Sequence, residues 1–407
     1  MDFGFDERTE QLRGELLAFM DSHVYPAEAE FAEEAVRAGE QWERPAAMAE
    51  LKAAARERGL WNLFHPDPDL GAGLSNVQYA PLAEITGRSP FVAPEAVNCN
   101  PPDSGNMELL SMFASDEQRA RWLAPLLRGE IRSAYAMTEP DVASSDAGNI
   151  DTRIRRDGDE YVITGRKWWT TGALSRDCKV LLVLGVTDPA AEPRRRHSVV
   201  LVPAGTPGLR ILRGMTLMGY TEGAVGGHAE IVFDDVRVPV ANLLGAEGGG
   251  SAMAQARLGP GRIHHAMRLV GMAERALELM CARVVSRTTF GTRIADHGVV
   301  QAWIAEARIR IEQVRLLVLR TAWLIDTVGV RGARTEVSAI KVAAPATAEW
   351  VIDKAIQAHG AAGLSQDFPL AMLWAQARGL RIGDGPDEVH RMVLARHELR
   401  KQGAGVR

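Results

Sequence analysis

The sequence has little of what would make it a disulfide scaffold, a metal protein or a membrane protein. Its three cysteines, Cys99, Cys178 and Cys281, are odd in number and far apart, which fits neither a disulfide framework nor a CxxC metal site. No apolar run approaches the ~20 residues that a spanning helix needs, because Arg, Glu or Asp interrupts every candidate. The start, MDFGFDERTEQLR, alternates charged and apolar residues where a secretory leader needs an unbroken apolar stretch, so a cytoplasmic location is expected. Excess positive charge is missing too. A net charge of -5 gives no ground for a nucleic-acid partner, and the run Arg194 to Arg196 beside prolines reads as a solvated loop. The parallel βαβ order of a Rossmann fold is absent, and Gly245, Gly248, Gly249 and Gly250 match neither nucleotide fingerprint. They read as a turn before a long helix.

What is present is a long chain with ample core. At 407 residues and 46% hydrophobic composition it can build two or three domains. From Phe5 to about Arg132 apolar residues recur at helical spacing, as in Leu12, Leu16, Phe19 and Met20, with Asp6 as an N-cap. Between about Tyr135 and Gly250 short apolar runs follow (Tyr161 to Ile163, Val180 to Val186, Ser198 to Val202, Ala229 to Phe233), separated by Gly, Pro and Asp. These read as antiparallel strands. Three long helical patterns come next, roughly Met253 to Arg287, Val299 to Val328 and Glu336 to His359. Several carry apolar stripes on more than one side, which implies burial against neighbours or other subunits.

Five clusters carry chemistry. Tyr135-Ala-Met-Thr-Glu-Pro-Asp-Val-Ala-Ser-Ser145 and Lys167-Trp-Trp-Thr-Thr-Gly172 offer the flat apolar wall and hydrogen-bond donors that a redox ring needs, although on these residues alone core packing is the favoured account of the tryptophans. By strand alternation, one of Trp168 and Trp169 faces inward and the other outward. Arg287-Thr-Thr-Phe-Gly291 ends a long helix, where the arginine either pairs with a diphosphate or caps the helix. Gln357-Ala-His-Gly-Ala-Ala-Gly363 puts small residues at a helix end, for a ligand or for another helix. In Arg381-Ile-Gly-Asp-Gly-Pro-Asp-Glu-Val-His390, Asp384 has little local crowding, which leaves its carboxylate, expected to be unpaired, able to reach a substrate carbon, although the turn reading is favoured on these residues alone. The plainer alternative makes it a turn residue, with Asp387 and Glu388 as the acidic first turn of the last helix.

In this order and spacing the clusters resemble the acyl-CoA dehydrogenase family over essentially the whole chain. RLGPGRIHH, GLSQDFPLA and the Asp-bearing turn are similar to the dehydrogenase domain of family members ten and eleven, while these 407 residues show no kinase-like segment. The resemblance implies an α+β fold: an N-terminal α-helical domain (1–133), a middle antiparallel β domain (134–249) and a C-terminal four-helix bundle (250–407). It implies FAD as cofactor. Met137 and Thr138 would meet the flavin's pyrimidine side, Trp169 would pack on the isoalloxazine, and Thr171 would bond near N5 and O4; Tyr135 and Thr170 join this set. Ser144 and Ser145 would lie by the pyrophosphate and pantetheine, with Ser144 grouped with the cofactor and Ser145, Arg262 and Gly385 with the substrate. Arg287, Phe290, Gln357 and Gly360 of a neighbouring subunit would hold the adenosine diphosphate part, close to Pro386 and Glu388.

The implied reaction is α,β-dehydrogenation of an acyl-CoA. Asp384 takes the α-proton as hydride leaves the β-carbon for flavin N5. Implied partners are the acyl-CoA, an electron-transfer flavoprotein and further copies of the chain in a homodimer or homotetramer. Three departures stand out. Gly298 follows His297 where many relatives have Gln, Gly261 occupies the alternative base position on the first long helix, and Asp384 is one methylene shorter than the usual Glu. Two other readings share the scaffold: a nitroalkane oxidase, which also uses an Asp base, and a non-catalytic DNA-associated relative, which the acidic balance disfavours.

Overall fold

The computed structural model describes residues 4–38, 45–223 and 226–403. The chain begins with α1 (Glu7–Phe19), α2 (Tyr25–Ala38), α3 (Ala47–Glu57), α4 (Asn76–Gly87), α5 (Ala93–Ala96), α6 (Asp103–Phe113), α7 (Asp116–Gln118) and α8 (Ala124–Leu127). Strands follow: β1 (Arg132–Ala136), β2 (Arg153–Asp157), β3 (Glu160–Thr171), β4 (Cys178–Val186), β5 (His197–Pro203), β6 (Leu209–Met215), β7 (His228–Pro239) and β8 (Leu243–Leu244). Then come α9 (Gly250–Ser286), the hairpin β9 (Thr288–Thr289) and β10 (Thr292–Arg293), α10 (Gly298–Gly332), α11 (Arg334–His359), α12 (Leu370–Gly379) and α13 (Asp387–Lys401). The chain folds as two compact units, one of Met1–Ser22, Leu74–Ala93 and Gly259–Arg407, the other of His23–Gly73 and Pro94–Leu258. Among the described residues no helix is long and apolar enough to cross a membrane.

The second unit is built on one sheet in the order β6-β7-β3-β2-β4-β5-β8, with β1 beside β4. Its ladders are antiparallel except where β1 lies parallel to β4 and Arg153 of β2 pairs with Val186 of β4. The chain between β1 and β4, which carries β2 and β3, supplies the long connection that parallel neighbours need. Strands β4 and β5 are apolar runs buried on both faces, and Ile163, Leu181, Val183, Val200, Ile231 and Phe233 meet in the core. Asp103, in the first turn of α6, anchors the start of β1: its carboxylate accepts from the Ser133 N–H (2.7 Å), the Ser133 hydroxyl (2.6 Å) and Arg132 Nε (3.0 Å). The far end of β1 is thereby fixed for the cluster that follows it.

In the first unit Asp6 caps α1 by accepting from the Thr9 N–H at 3.0 Å, and Leu16 and Phe19 are buried one helical turn apart. Ser75 and Gln78 form a capping box on α4, whose first N–H groups also reach the Asp326 carboxylate on α10. Helices α4 and α9 cross backbone to backbone. A Cβ at Gly271 would sit 1.9 Å from the Glu84 carbonyl oxygen, and one at Gly87 2.3 Å from that of Arg268, so both positions require glycine. Arg315 then ties Glu84 of α4 to Glu274 of α9. Val300, Ala307, Ile311, Val314 and Val318 give α10 a buried stripe at helical spacing. A second stripe on α10, Ile309, Leu316 and Trp323, lies seven residues apart and about half exposed.

Candidate active site

In the strand unit the site residues sit at the ends of β1 and β3. Alternation along β3 breaks between Lys167 and Thr170, where the register against β7 shifts. Lys167 and Thr170 are therefore both buried, while Trp168 is half-buried and Trp169, in the left-handed region at φ 51°, is exposed. One tryptophan does turn outward, by a bulge rather than by the pleat. The Trp168 N–H donates to the Thr138 carbonyl at 3.0 Å, which brings the two clusters together.

Lys167 makes the second link. Its Nζ donates to the Met137 carbonyl and to Glu139 Oε1, both at 2.8 Å, and Glu139 also accepts from the N–H groups of Asp151 and Thr152, each at 2.8 Å. Burial pushes the Lys167 amine down to about 8 against the attraction of Glu139. Burial works to raise the Glu139 carboxyl, but the Lys167 charge and the hydrogen bonds outweigh it and hold it below its ordinary value. This buried pair escaped sequence reasoning, since neither residue stands out from its cluster.

Several polar atoms at this end are buried with no hydrogen-bond partner among the described residues: Tyr135 OH, Trp168 Nε1 and Thr170 Oγ1. The Tyr135 ring lies under the Arg257 guanidinium at 4.5 Å. Thr171 Oγ1 lies 2.9 Å from His228 Nδ1. Orphaned polar groups next to an exposed tryptophan are what a polar, flat ring system would complete, so these residues fit a flavin. Ser144 is turned into its own loop, accepting from the Glu139 N–H at 2.9 Å, whereas Ser145 is exposed.

In the helical unit Asp384 occupies the left-handed region at φ 57°, followed by Gly385 at φ 104°. A Cβ at Gly385 would come within 2.9 Å of His390 Nε2 and would sit on a left-handed backbone that side chains rarely adopt, so a larger residue would displace the His390 ring and strain the turn. Three side chains brace the turn. Arg262 Nη2 donates to the Asp384 carbonyl at 3.2 Å, Lys341 Nζ donates to the carbonyls of Leu380 (2.6 Å) and Gly385 (3.2 Å), and His390 Nε2 lies 3.2 Å from the Asp384 carbonyl. Burial brings His390 to about 4, so it is neutral at pH 7 and its Nε2–H can donate to that carbonyl. Burial also lowers Arg262, and lowers Lys341 to about 8; the Asp384 charge opposes both shifts.

The Asp384 carboxylate, 25% exposed, is not solitary as expected: Oδ2 lies 3.6 Å from His265 Nε2. The sequence neighbours of Asp384 are glycines, but α9 and α11 bring His265, Arg262 and Lys341 to it from far along the chain. Asp387 and Glu388 form the acidic first turn of α13 as expected, and Asp387 is in addition buried against Arg381 at 2.7 Å; Glu388 is exposed, and Pro386 is the N-cap residue. Arg287 is exposed next to the β9–β10 hairpin, whose tip residue Phe290 is 99% exposed; Gln357 and Gly360, at the end of α11, are also exposed. At Gly261 a Cβ would meet nothing within 4 Å.

Three family models cover the chain in succession: acyl-CoA dehydrogenase, N-terminal domain (residues 6–130), middle domain (134–236) and C-terminal domain (248–399). The "Probable acyl-CoA dehydrogenase FadE2" of Mycobacterium tuberculosis is 53% identical over 99% of this chain and 98% of its own length. Acyl-CoA dehydrogenase family member 11 of Gallus gallus is 52% identical over 94% of this chain, which spans only 49% of that longer protein. Among solved structures, "Structure of a putative acyl-CoA dehydrogenase from Mycobacterium abscessus" superposes with a TM-score of 0.95 at 53% identity, covering 98% of this chain and all of the other.

Proposed function

Because this chain belongs to the acyl-CoA dehydrogenase family, we propose that it oxidises an acyl-CoA thioester to the 2-enoyl-CoA, with Asp384 as the α-proton base. It is an oxidoreductase of that class, with FAD as cofactor. The observation that carries the assignment of the base is the braced turn. Arg262, Lys341 and His390 all hold backbone carbonyls around Asp384, so its carboxylate is positioned by three helices while remaining a quarter exposed. A base on a fixed turn avoids the cost of ordering it in each turnover.

Bound FAD supplies the acceptor for the hydride that leaves the β-carbon. Met137, Thr138, Trp169 and Thr171 would hold its ring end, and Arg287, Phe290, Gln357 and Gly360 of a neighbouring copy its adenosine diphosphate part. The Asp384 carboxylate accepts the α-proton, and the Asp384 backbone N–H polarises the thioester carbonyl. Each of these two effects is typically worth about 10² to 10⁴ in rate. His265, 3.6 Å from the carboxylate, is a second group able to share that proton.

The test is anaerobic mixing of the yellow holoenzyme with straight, branched and 4-hydroxy-derived acyl-CoA esters. Bleaching of the flavin band by at least one ester is expected, with reoxidation by an electron-transfer flavoprotein. Silence toward every ester, together with rapid oxygen uptake on a nitroalkane, would replace this reading with the nitroalkane oxidase.

The assembly is a homo-oligomer, dimer or tetramer. Supporting this are the exposed Ile309, Leu316 and Trp323 on one face of α10 and the fully exposed Phe290. Replacing Leu316 and Trp323 together by Glu should drop the mass in light scattering to that of one chain and release FAD. A wild-type protein that already runs as a single chain with full FAD content would refute the shared site.

A further inference from the structure

At the end of β3 three side chains form a line. Thr171 Oγ1 lies 2.9 Å from His228 Nδ1, and His228 Nε2 lies 2.7 Å from Glu222 Oε2. Thr171 and His228 are paired across the β3–β7 ladder, so the backbone itself fixes the first contact. On its other flank His228 pairs with Met215 of β6, and the Trp169 ring stands 5.2 Å away. The side chains of His228 and Glu222 are only 11% and 8% exposed. The ionisable side chain that touches the ring at Nε2 is Glu222.

Counting protons gives the line a direction. An ionised carboxylate can only accept, so Nε2 carries the hydrogen. With a single hydrogen on the ring, Nδ1 is then bare and accepts the Thr171 hydroxyl hydrogen. With its hydrogen committed inward, the Thr171 oxygen presents only lone pairs outward. If the acceptor at Nε2 became a donor, Nδ1 would carry the hydrogen and the Thr171 hydroxyl would turn outward as a donor.

We propose that Glu222 and His228 are positioning residues that make Thr171 a hydrogen-bond acceptor toward the flavin, favouring the reduced cofactor, whose N5 bears a hydrogen, over the oxidised one, whose N5 does not. The proposal rests on the reading above that puts Thr171 at flavin N5. The Thr171 oxygen, already facing outward as an acceptor, would meet such an N–H without having to rotate.

The experiment measures the two-electron midpoint potential and the visible spectrum of FAD-loaded wild type, Glu222→Gln, His228→Phe, Thr171→Val and the Glu222→Gln/Thr171→Val double variant. Gln can present an N–H to Nε2 and so reverses the line without removing it. Both Glu222→Gln and His228→Phe should lower the equilibrium for reduction about tenfold, about 30 mV, and the double variant should match Thr171→Val alone. If Thr171→Val shifts the potential while the other two single variants leave it at the wild-type value, the relay is overturned. If Thr171→Val changes neither spectrum nor potential, the placement of Thr171 at N5 fails and takes the relay with it. Circular dichroism and FAD content confirm that each variant is folded.

Discussion

Replacing Asp384 by Asn should leave FAD bound and the fold intact while the rate of flavin reduction by acyl-CoA falls by about 10² to 10⁴, the scale of losing a positioned general base. The fold survives because the turn is held through backbone carbonyls. Arg262, Lys341 and His390 bond to the oxygens of Asp384, Leu380 and Gly385, none of which the substitution alters. The left-handed conformation at φ 57° is one that Asn tolerates about as well as Asp. Stopped-flow reduction under anaerobic conditions reads the effect. Retention of more than a tenth of the wild-type rate would move the base elsewhere, with His265 the first residue to examine.

Lys167→Met should have the second largest effect, this time on stability and cofactor retention rather than on chemistry. It deletes one side of a pair in which Lys167 is fully buried and Glu139 nearly so, leaving a carboxylate that keeps the Asp151 and Thr152 N–H groups but has lost its counter-charge. Breaking one side of a buried pair costs about 3 to 5 kcal/mol. The Met137 carbonyl loses its donor as well, which loosens the segment that the resemblance places on the flavin. A thermal ramp followed by flavin fluorescence should show release of FAD well below the wild-type temperature. Adding Glu139→Gln should restore part of the loss, because the unpaired charge is then gone. Equal release temperatures for wild type and Lys167→Met would mean that the pair does not hold these segments.

The long helices were readable because a period near 3.6 persists through α9, α10 and α11, and Asp6 announced α1 through its short polar side chain ahead of an apolar stripe. The buried runs of β4 and β5 were equally plain. Less visible was the bulge at Lys167 to Thr170, because alternation assumes an unbroken pleat. The parallel placement of β1 beside β4 depends on a crossover that no local pattern encodes. At the site, the Asp384 turn announced itself through its flanking glycines and Arg262 was grouped with the substrate, but the contacts that join the partners to the turn were not legible. Arg262 and His265 lie on α9, Lys341 on α11 and His390 on α13, and only folding brings them to one carbonyl or carboxylate. His228 carried a faint signal, directly after the Gly226–Gly227 turn and opposite Thr171 in register, that becomes legible only once the ladder is known.

Where α4 and α9 touch at Gly87 and Gly271, a common recipe for hardening proteins would backfire. Exchanging a helical glycine for alanine ordinarily stiffens the unfolded chain to advantage, by about 0.4 to 1 kcal/mol. At Gly271 the added methyl would meet a carbonyl oxygen of the opposing backbone, which cannot step aside as a flexible side chain can. The helix forced to move would be α9, which carries Arg262 and His265, so an attempt to gain heat resistance there would misplace the groups around the base.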